Sequence, residues 1–317
     1  QEIAAFDGVD LVVGMEHKGE VARLVREGLA RKAQMAPGEA CHEALAVPTR
    51  DIRSFVPSCS CGDRTRYFLK VQDGCNYYCT YCTIPMARGR SRNGSIASLV
   101  AQAEDAAARG GKEIVITGVN IGDFGHSTGE TFLDLIRALD RVEGIERYRI
   151  SSIEPNLLKE EVIRWIASGT KFQNHFHIPL QSGCDAILAK MRRRYNTTMF
   201  AEKIDMIRSI MGDVFFGIDV IAGFPGESDD EFEQTFNFLK ERIKPAFIHV
   251  FPFSARKNTP AAEMPNQVKE SIKSLRVERL TALAEQRHSD YCNRFQGTKP
   301  LVLFESEEKG GKMFGYT

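Results

Sequence analysis

Residues 67 to 82 read Tyr67-Phe68-Leu69-Lys70-Val71-Gln72-Asp73-Gly74-Cys75-Asn76-Tyr77-Tyr78-Cys79-Thr80-Tyr81-Cys82, a β-rich run followed at once by a loop with three cysteines. The loop has C-x3-C-x2-C spacing. Thiolates are the ligands that iron–sulfur clusters require, and three of them leave one iron of a four-iron cluster open. An open iron can bind a substrate or a cofactor. The loop therefore predicts a reactive cluster held by Cys75, Cys79 and Cys82.

Other uses of these thiols fit less well. Zinc needs a fourth ligand, and the nearest histidines in sequence, His42 and His126, lie in a predicted linker and in a later loop. Free structural thiols this close together would oxidise readily. A ferredoxin would want a fourth cysteine nearby, but none follows Cys82 until Cys184.

Working outward, further short β-rich runs alternate with helical segments along the chain. Strands separated by helices pair in parallel through right-handed crossovers, which indicates an α/β fold with a doubly covered sheet or an open barrel. Active sites in such folds gather at the carboxyl ends of the strands. The six predicted strands are 67–72, 113–117, 147–152, 175–180, 215–221 and 246–251.

Composition excludes several classes of protein. The 42 basic and 42 acidic side chains cancel, so bulk charge indicates neither a nucleic-acid-binding nor an acidic protein, and 43% hydrophobic residues suffice for a sizeable core. The longest apolar stretches, 113–119 and 215–224, are too short to cross a bilayer, so we expect a soluble, cytoplasmic protein. Eight cysteines are too sparse for a disulfide scaffold. We interpret five of them as ordinary residues: Cys41, Cys59, Cys61, Cys184 and Cys292.

Four regions are predicted along the chain. Residues 1–35 contain one strand and one helix, too little for a core, and are expected to be the end of an N-terminal α/β domain. Residues 36–65 lose periodicity and indicate a linker. Residues 66–295 form the main domain, and residues 296–317 begin a further β-rich unit with a hairpin turn at 308–312.

The cysteine loop and its surroundings resemble a known family. A C-x3-C-x-aromatic-C loop after the first strand is similar to the radical S-adenosylmethionine (radical SAM) superfamily. The flanking residues resemble its methylthiotransferases, which act on tRNA and on a ribosomal protein. The resemblance rests on segments that occur in one order, namely 73–75, 81–85, 87–92, 116–120, 149–155, 177–183, 191–195 and 219–227.

The resemblance implies an open partial (β/α)6 barrel with a 4Fe–4S cluster on the three cysteines. S-adenosylmethionine would bind the open iron through its amino and carboxylate groups. Each further position also has a simpler interpretation, such as a turn, a helix cap or a loop glycine. The cofactor-binding positions implied are Tyr81 against the adenine, Gly118 and Asn120 at the amino group, Glu154 at the ribose or a cation, and Gln181 and Gly223 at later strand ends.

Arginines are concentrated in two places that the barrel would bring to one rim. Cationic groups around an active-site mouth contact phosphate, although a single arginine is more often a solvated surface residue. We therefore interpret both triplets as candidate RNA-binding residues: Arg88, Arg90 and Arg92, and Arg192, Arg193 and Arg194.

The function implied is methylthiolation of C2 of N6-threonylcarbamoyladenosine beside the tRNA anticodon. The branch that uses isopentenyladenosine and the branch that modifies a ribosomal-protein aspartate stay open as alternatives. A different class would be an RNA-binding protein with a structural cluster. The implied partners are the tRNA anticodon stem-loop and an electron donor such as flavodoxin or ferredoxin.

The family also carries parts that this sequence does not include in full. Its N-terminal domain holds an auxiliary 4Fe–4S cluster on three cysteines, and those positions precede Gln1. Its C-terminal unit is a small β-barrel (TRAM-like) RNA-binding domain, and residues 296–317 resemble the start of it.

Overall fold

The computed structural model describes residues 2–36, 42–60 and 65–317. Its strands in chain order are β1 (Leu11–Val13), β2 (Glu43–Leu45), β3 (Ser58–Cys59), β4 (Arg66–Lys70), β5 (Gln72–Asp73), β6 (Arg92–Asn93), β7 (Glu113–Thr117), β8 (Arg147–Ile150), β9 (His175–Gln181), β10 (Phe215–Ala222), β11 (Phe247–Pro252), β12 (Leu303–Lys309) and β13 (Lys312–Tyr316). Its helices are α1 (Val21–Lys32), α2 (Ile84–Arg88), α3 (Ile96–Ala108), α4 (Phe132–Asp140), α5 (Glu160–Ile166), α6 (Asp185–Lys190), α7 (Thr197–Met211), α8 (Asp229–Asn237), α9 (Pro260–Glu263) and α10 (Glu270–Asn293).

Six parallel strands form the main domain. β4, β7 and β8 lie side by side, and β9, β10 and β11 form a second parallel set. Two isolated parallel bridges, Tyr148 with Phe172 and Ser152 with His177, connect the two sets. Among the described residues no strand pairing joins the two outer edges, so the barrel is open. The predicted partial barrel of six parallel strands is confirmed.

Helices cover one face of these strands. Core side chains of the strands, such as Ile116, Phe176 and Ile218, are buried in one cluster with helix residues that include Leu135 and Phe200. Because successive side chains of a strand point to opposite faces, their neighbours in sequence face away from the helices, toward the inside of the barrel. We call this side the inner face.

Local sequence signals explain where several helices begin. Ser228 accepts a hydrogen bond from the backbone N–H of Glu231, whose carboxylate accepts in turn from the backbone of Ser228, a capping box that starts α8. Ser95, Thr131 and Asn196 cap α3, α4 and α7 in the simpler way, each through one side-chain oxygen.

The predicted linker contains strands. β2 pairs in parallel with β1, and β3 pairs antiparallel with β4 at the edge of the main sheet. Residues 43–45 and 58–59 of the predicted linker are therefore paired with neighbouring strands, while the domain boundaries themselves stay a prediction. Cys59 is half-buried in β3, Cys184 is buried and Cys292 is exposed. Cys41 and Cys61 lie outside the described residues.

The predicted hairpin after the last long helix is confirmed. β12 and β13 pair antiparallel, and Gly310 and Gly311 form the turn with φ values of 60° and 74°. β13 contacts the main domain, because Arg147 donates a hydrogen bond to the carbonyl oxygen of Tyr316 at 3.1 Å. Among the described residues, none of the helices combines the length and the hydrophobicity that a membrane span requires.

Candidate metal centre and cofactor site

The cysteine loop follows β5 and begins with a tight turn at Gly74. This residue has φ of 71°, and a Cβ added to it would lie 2.1 Å from the carbonyl oxygen of Arg90. The backbone N–H of Cys75 donates to the carbonyl oxygen of Gly89 at 3.1 Å. Together with the pairing of β5 with β6, these contacts tie the loop to the returning segment 89–93.

The far side of the loop is held by the other half of the barrel. The backbone N–H of Thr80 donates to the carbonyl oxygen of Met191 at 3.1 Å, and its hydroxyl donates to that of Lys190 at 2.9 Å. The ring of Tyr81 packs into a buried cluster with Ile221 and Phe224, which lie at the end of β10. The loop thus lies over the carboxyl ends of the strands, where the fold predicts an active site.

The three thiols lie in surroundings that suit a positively charged metal centre. Cys79 is buried, and Cys75 and Cys82 are half-buried. Burial, together with repulsion from the neighbouring thiols Cys79 and Cys82, raises the pKa of Cys75 to about 11. Burial also raises the pKa of Cys82. Thiolates at Cys75 and Cys82 are therefore unfavourable without a metal, and an iron–sulfur cluster would supply the compensating charge.

One arginine of the second triplet lies inside this site. The side chain of Arg193 is 3% exposed and forms an ion pair with Glu154. Its guanidinium donates to the Sγ of Cys79 at 3.1 Å and to the hydroxyl of Tyr81 at 3.3 Å. The structure thus brings three predicted positions, Cys79, Tyr81 and Glu154, around Arg193. In the described structure, the cation that Glu154 pairs with is Arg193.

The arginines do not form the single exposed rim that we predicted. Arg92 is buried and donates to the carbonyl oxygens of Ser54 at 2.6 Å, Arg88 at 2.7 Å and Arg90 at 3.1 Å. Arg88 pairs with Asp73 at 3.1 Å. The charges and donors of Arg92 and Arg193 are used within the protein. Placing these two arginines on a phosphate-binding surface was therefore wrong.

The remaining arginines of the triplets are exposed. Arg194 lies 4.0 Å from the centre of the Tyr77 ring and donates to the carbonyl oxygen of Asn76 at 2.8 Å. Arg90 and Arg192 have no side-chain hydrogen bond or ion pair among the described residues, and both are exposed to solvent. These two are the members of the triplets whose guanidinium groups are available to an anion.

Sequence reasoning missed Gln72, which organises the other side of the site. Its buried side-chain oxygen accepts from the backbone N–H groups of Val119 at 2.9 Å and Asn120 at 2.8 Å. Its amide nitrogen donates to the carbonyl oxygen of Gly74 at 2.7 Å and to the hydroxyl of Ser91 at 2.9 Å. A glutamine at the end of a β-rich run was the available signal, because a buried polar side chain needs partners.

The loop after β7 contains the site's unpaired polar group. Asn120 is 3% exposed, and neither atom of its side-chain amide has a hydrogen-bond partner among the described residues. Such an amide costs free energy unless a ligand satisfies it. Gly118 has no room for a side chain, because a Cβ would lie 2.7 Å from Ile121 and 3.0 Å from the carbonyl oxygen of Gln72. Asn120 therefore has a side-chain amide to offer to a ligand, whereas Gly118 has only its backbone groups.

The two later positions lie at strand ends, as predicted. Gln181 ends β9 with φ of 68°. Gly223 follows β10 with φ of 77°, and a Cβ there would lie 2.2 Å from the Lys273 side chain. Lys273, and not an open cofactor space, thus fills the position next to this glycine. Ser182 is buried and donates to or accepts from the Thr235 hydroxyl at 3.1 Å, a structural role.

Comparisons with known proteins agree with this arrangement. The model of the radical SAM superfamily matches residues 69–239. The chain is 38% identical over 322 residues to the threonylcarbamoyladenosine tRNA methylthiotransferase of Bacillus subtilis (strain 168). That alignment covers 100% of this chain and 70% of that protein. It is 30% identical over 318 residues to the tRNA-2-methylthio-N(6)-dimethylallyladenosine synthase of Pelotomaculum thermopropionicum. That alignment covers 98% of this chain and 68% of that protein.

A solved structure supports the fold alone. The radical S-adenosylmethionine methyltransferase of Kitasatospora setae, determined with cobalamin and a [4Fe-4S] cluster bound, is similar at a TM-score of 0.52 and 17% identity, over 62% of this chain and 35% of that chain. The superfamily model matches more than half of the sequence, and the relatives align along nearly all of it. The chain therefore belongs to the radical SAM superfamily and, within it, to the methylthiotransferase family.

Proposed function

We propose that this enzyme attaches a methylthio group to C2 of N6-threonylcarbamoyladenosine beside the anticodon of tRNA. The observation that carries the proposal is the cysteine loop at the barrel mouth, three thiols with no fourth cysteine near in sequence. Sequence identity to the relatives supports the choice of base. The relative named for threonylcarbamoyladenosine is 38% identical, whereas the one named for dimethylallyladenosine is 30% identical over nearly the same span.

The cofactors are a 4Fe–4S cluster and S-adenosylmethionine. When bound, they supply one-electron chemistry that activates an unreactive C–H bond. The residues that would hold the cluster are Cys75, Cys79 and Cys82. The orphaned amide of Asn120 is available to a polar group of the cofactor, and the aromatic ring of Tyr81 to a flat base.

Arg193 would act as a positioning residue in this site. Its buried guanidinium donates to a cluster-ligand sulfur, to Tyr81 and to Glu154 at once, so these groups keep one relative arrangement. A hydrogen bond to a ligand sulfur also favours the more negative, reduced form of a cluster. The apolar cluster around Ile221 and Phe224 excludes water beneath the loop.

The RNA would be held outside this site. Arg90 and Arg192 are exposed and unpaired among the described residues, so they are available to tRNA phosphates without losing an internal partner. A reductant such as flavodoxin or ferredoxin would deliver the electron. The TRAM-like assignment of 296–317 remains a proposal, supported by the observed hairpin.

Nucleoside analysis tests the proposed substrate. The gene would be expressed in a bacterium that lacks its own methylthiotransferases, and digested tRNA would be analysed by mass spectrometry. We expect the methylthio derivative of threonylcarbamoyladenosine, and its loss in the Cys75→Ala, Cys79→Ala, Cys82→Ala variant. Methylthio-isopentenyladenosine alone would assign the chain to the other tRNA branch, and a methylthio-aspartate found in digested ribosomal protein of the same cells would assign it to the third.

A further inference from the structure

Three polar side chains meet on the inner face of the barrel, away from the cysteine loop. His177 lies on β9, Asp219 on β10 and His249 on β11, and Asp219 is directly opposite His249 in the strand register. Their candidate ligand atoms all lie within 4.8 Å of one another. Within 2–36, 42–60 and 65–317, this is the one group of three or more His, Cys, Asp or Glu side chains gathered so closely.

The positions of these side chains are set by rigid neighbours. Phe176 and Ile178 flank His177 in sequence, Ile218 and Val220 flank Asp219, and all four are buried in the helix-covered core. Since side chains alternate along a strand, the polar groups are held on the opposite face. Sites built on strands are more precise than sites built on loops.

The contacts within the group leave one member unsatisfied. The Nε2 of His177 lies 2.5 Å from a carboxylate oxygen of Asp219. The ring centres of His177 and His249 are 4.8 Å apart. His249 packs against the rings of His177 and Phe247, lies opposite Asp219 in the register, and makes no hydrogen bond among the described residues. A hydrogen-bonded His–Asp pair explains two of the side chains and leaves the third without a role.

We propose that His177, Asp219 and His249 form a binding site for a divalent transition-metal cation such as Zn²⁺ or Fe²⁺. Two imidazoles and one carboxylate are a ligand set that these ions accept, with the remaining positions open to water or substrate. Bonds of about 2.1 Å place ligand atoms roughly 3 to 4 Å apart, so His177 and Asp219 would separate by about 1 Å as the ion replaces their hydrogen bond.

The exposure and charge of the site suit a cation. The side chains of His177 and Asp219 are 26% and 14% exposed, so an ion can reach them from inside the barrel. The carboxylate supplies one negative charge. Arg149, a cation of the neighbouring strand β8, is paired with the buried carboxylate of Glu113 at 3.0 Å.

This site is separate from the iron–sulfur ligands. Ile221, which packs with Tyr81 of the cysteine loop, comes two residues after Asp219 on the same face of β10. At about 3.3 Å per residue, the carboxylate lies roughly 7 Å farther from the mouth along the strand. A metal bound there would have nitrogen and oxygen neighbours and no sulfur, which makes it distinguishable by spectroscopy.

Zinc binding to the full chain tests the proposal. Protein with its reconstituted cluster, freed of loosely bound metal, would be dialysed against Zn²⁺ and examined by metal analysis and X-ray absorption at the zinc edge. We expect one zinc per chain with only nitrogen and oxygen neighbours. Asp219→Asn keeps the shape of the side chain and its ability to form hydrogen bonds. We expect Asp219→Asn and His249→Gln each to weaken zinc binding at least about tenfold.

His175→Gln is the matched control, because His175 lies on the same strand and face but outside the group. Its zinc affinity should stay within about twofold of the unchanged protein. Thermal melting without zinc checks that each variant folds, and a zinc-induced rise in melting temperature should occur in the unchanged protein and be absent from Asp219→Asn. Sulfur neighbours around zinc, or equal binding by all four proteins, would overturn the proposal.

Discussion

At the residue scale, the surroundings of Cys75 disfavour a free thiolate and therefore suit a thiolate that is bound to metal. Burial raises its pKa from 9.0 to about 11, and nearby thiols and Glu154 add repulsion. The folded chain therefore binds this proton more tightly than the unfolded chain does. The corresponding part of the metal-free stability is complete below about pH 9 and is lost as the pH rises toward 11.

Alkylation of metal-free protein by iodoacetamide checks this shift in pKa. Because only thiolate reacts, the rate at Cys75 in folded protein should still rise about tenfold per pH unit between pH 8 and 10. In urea the same rate should level off in that range. Mass spectrometry would follow both, with exposed Cys292 as the internal reference. A plateau at about pH 9 in folded protein would show that burial does not control this thiol.

At the element scale, the cysteine loop depends on one turn. Gly74 combines a positive φ with a backbone contact that leaves no space for a Cβ. Gly110 has a positive φ of 86° as well, but nothing lies within 4 Å of the position that a Cβ would take. Comparing the two glycines separates the cost of the backbone conformation, about 1 kcal/mol, from the cost of displacing the Gly89–Arg90 backbone.

Gly74→Ala should therefore lose the cluster, whereas Gly110→Ala should keep it. We expect the first variant to retain less than about half of the iron of the unchanged protein after anaerobic reconstitution, because moving the Arg90 carbonyl shifts the Cys75 end of the loop. Iron analysis and visible absorbance measure the result. Equal iron content in both variants would mean that the loop adapts and that this turn does not position the thiols.

At the scale of the whole molecule, buried and exposed arginines have different roles. Arg92 and Arg193 hold the site together from within, while Arg90 and Arg192 face solvent. A net charge of zero gives the chain no general attraction to RNA, so binding should depend on such local cations.

Salt dependence of tRNA binding tests this division. Each phosphate contact contributes about 0.7 to 0.9 to the slope of log affinity against log salt, so the Arg90→Ala, Arg192→Ala variant should lower the slope by about 1.4 to 1.8. The control is Arg137→Ala, a substitution at an exposed position of α4, which should leave the slope unchanged. Filter binding at several salt concentrations supplies the data. An unaltered slope in the double variant would remove these two residues from the RNA interface.

The six-strand architecture and the family were readable from the sequence, and the cluster ligands Cys75, Cys79 and Cys82 stay a prediction made from it. Short β-rich runs alternating with helices follow from local hydrophobic patterning, which depends only on residues near in sequence. Thiols three and four residues apart likewise end up on one loop whatever surrounds them. The barrel strands and the C-terminal hairpin are confirmed, and the cysteine loop lies where the pattern placed it.

Only the tertiary structure decided which polar side chains face which partner. Arg193 lies beside Cys79, from which it is separated by 114 residues, and Gln72 accepts from Asn120, 48 residues away. Lys273 fills the space beside Gly223, and His177 meets Asp219 and His249, which lie on two other strands. Burial and pairing of this kind depend on the direction in which each side chain leaves its strand and on what a distant segment places there, and neither is encoded in local spacing.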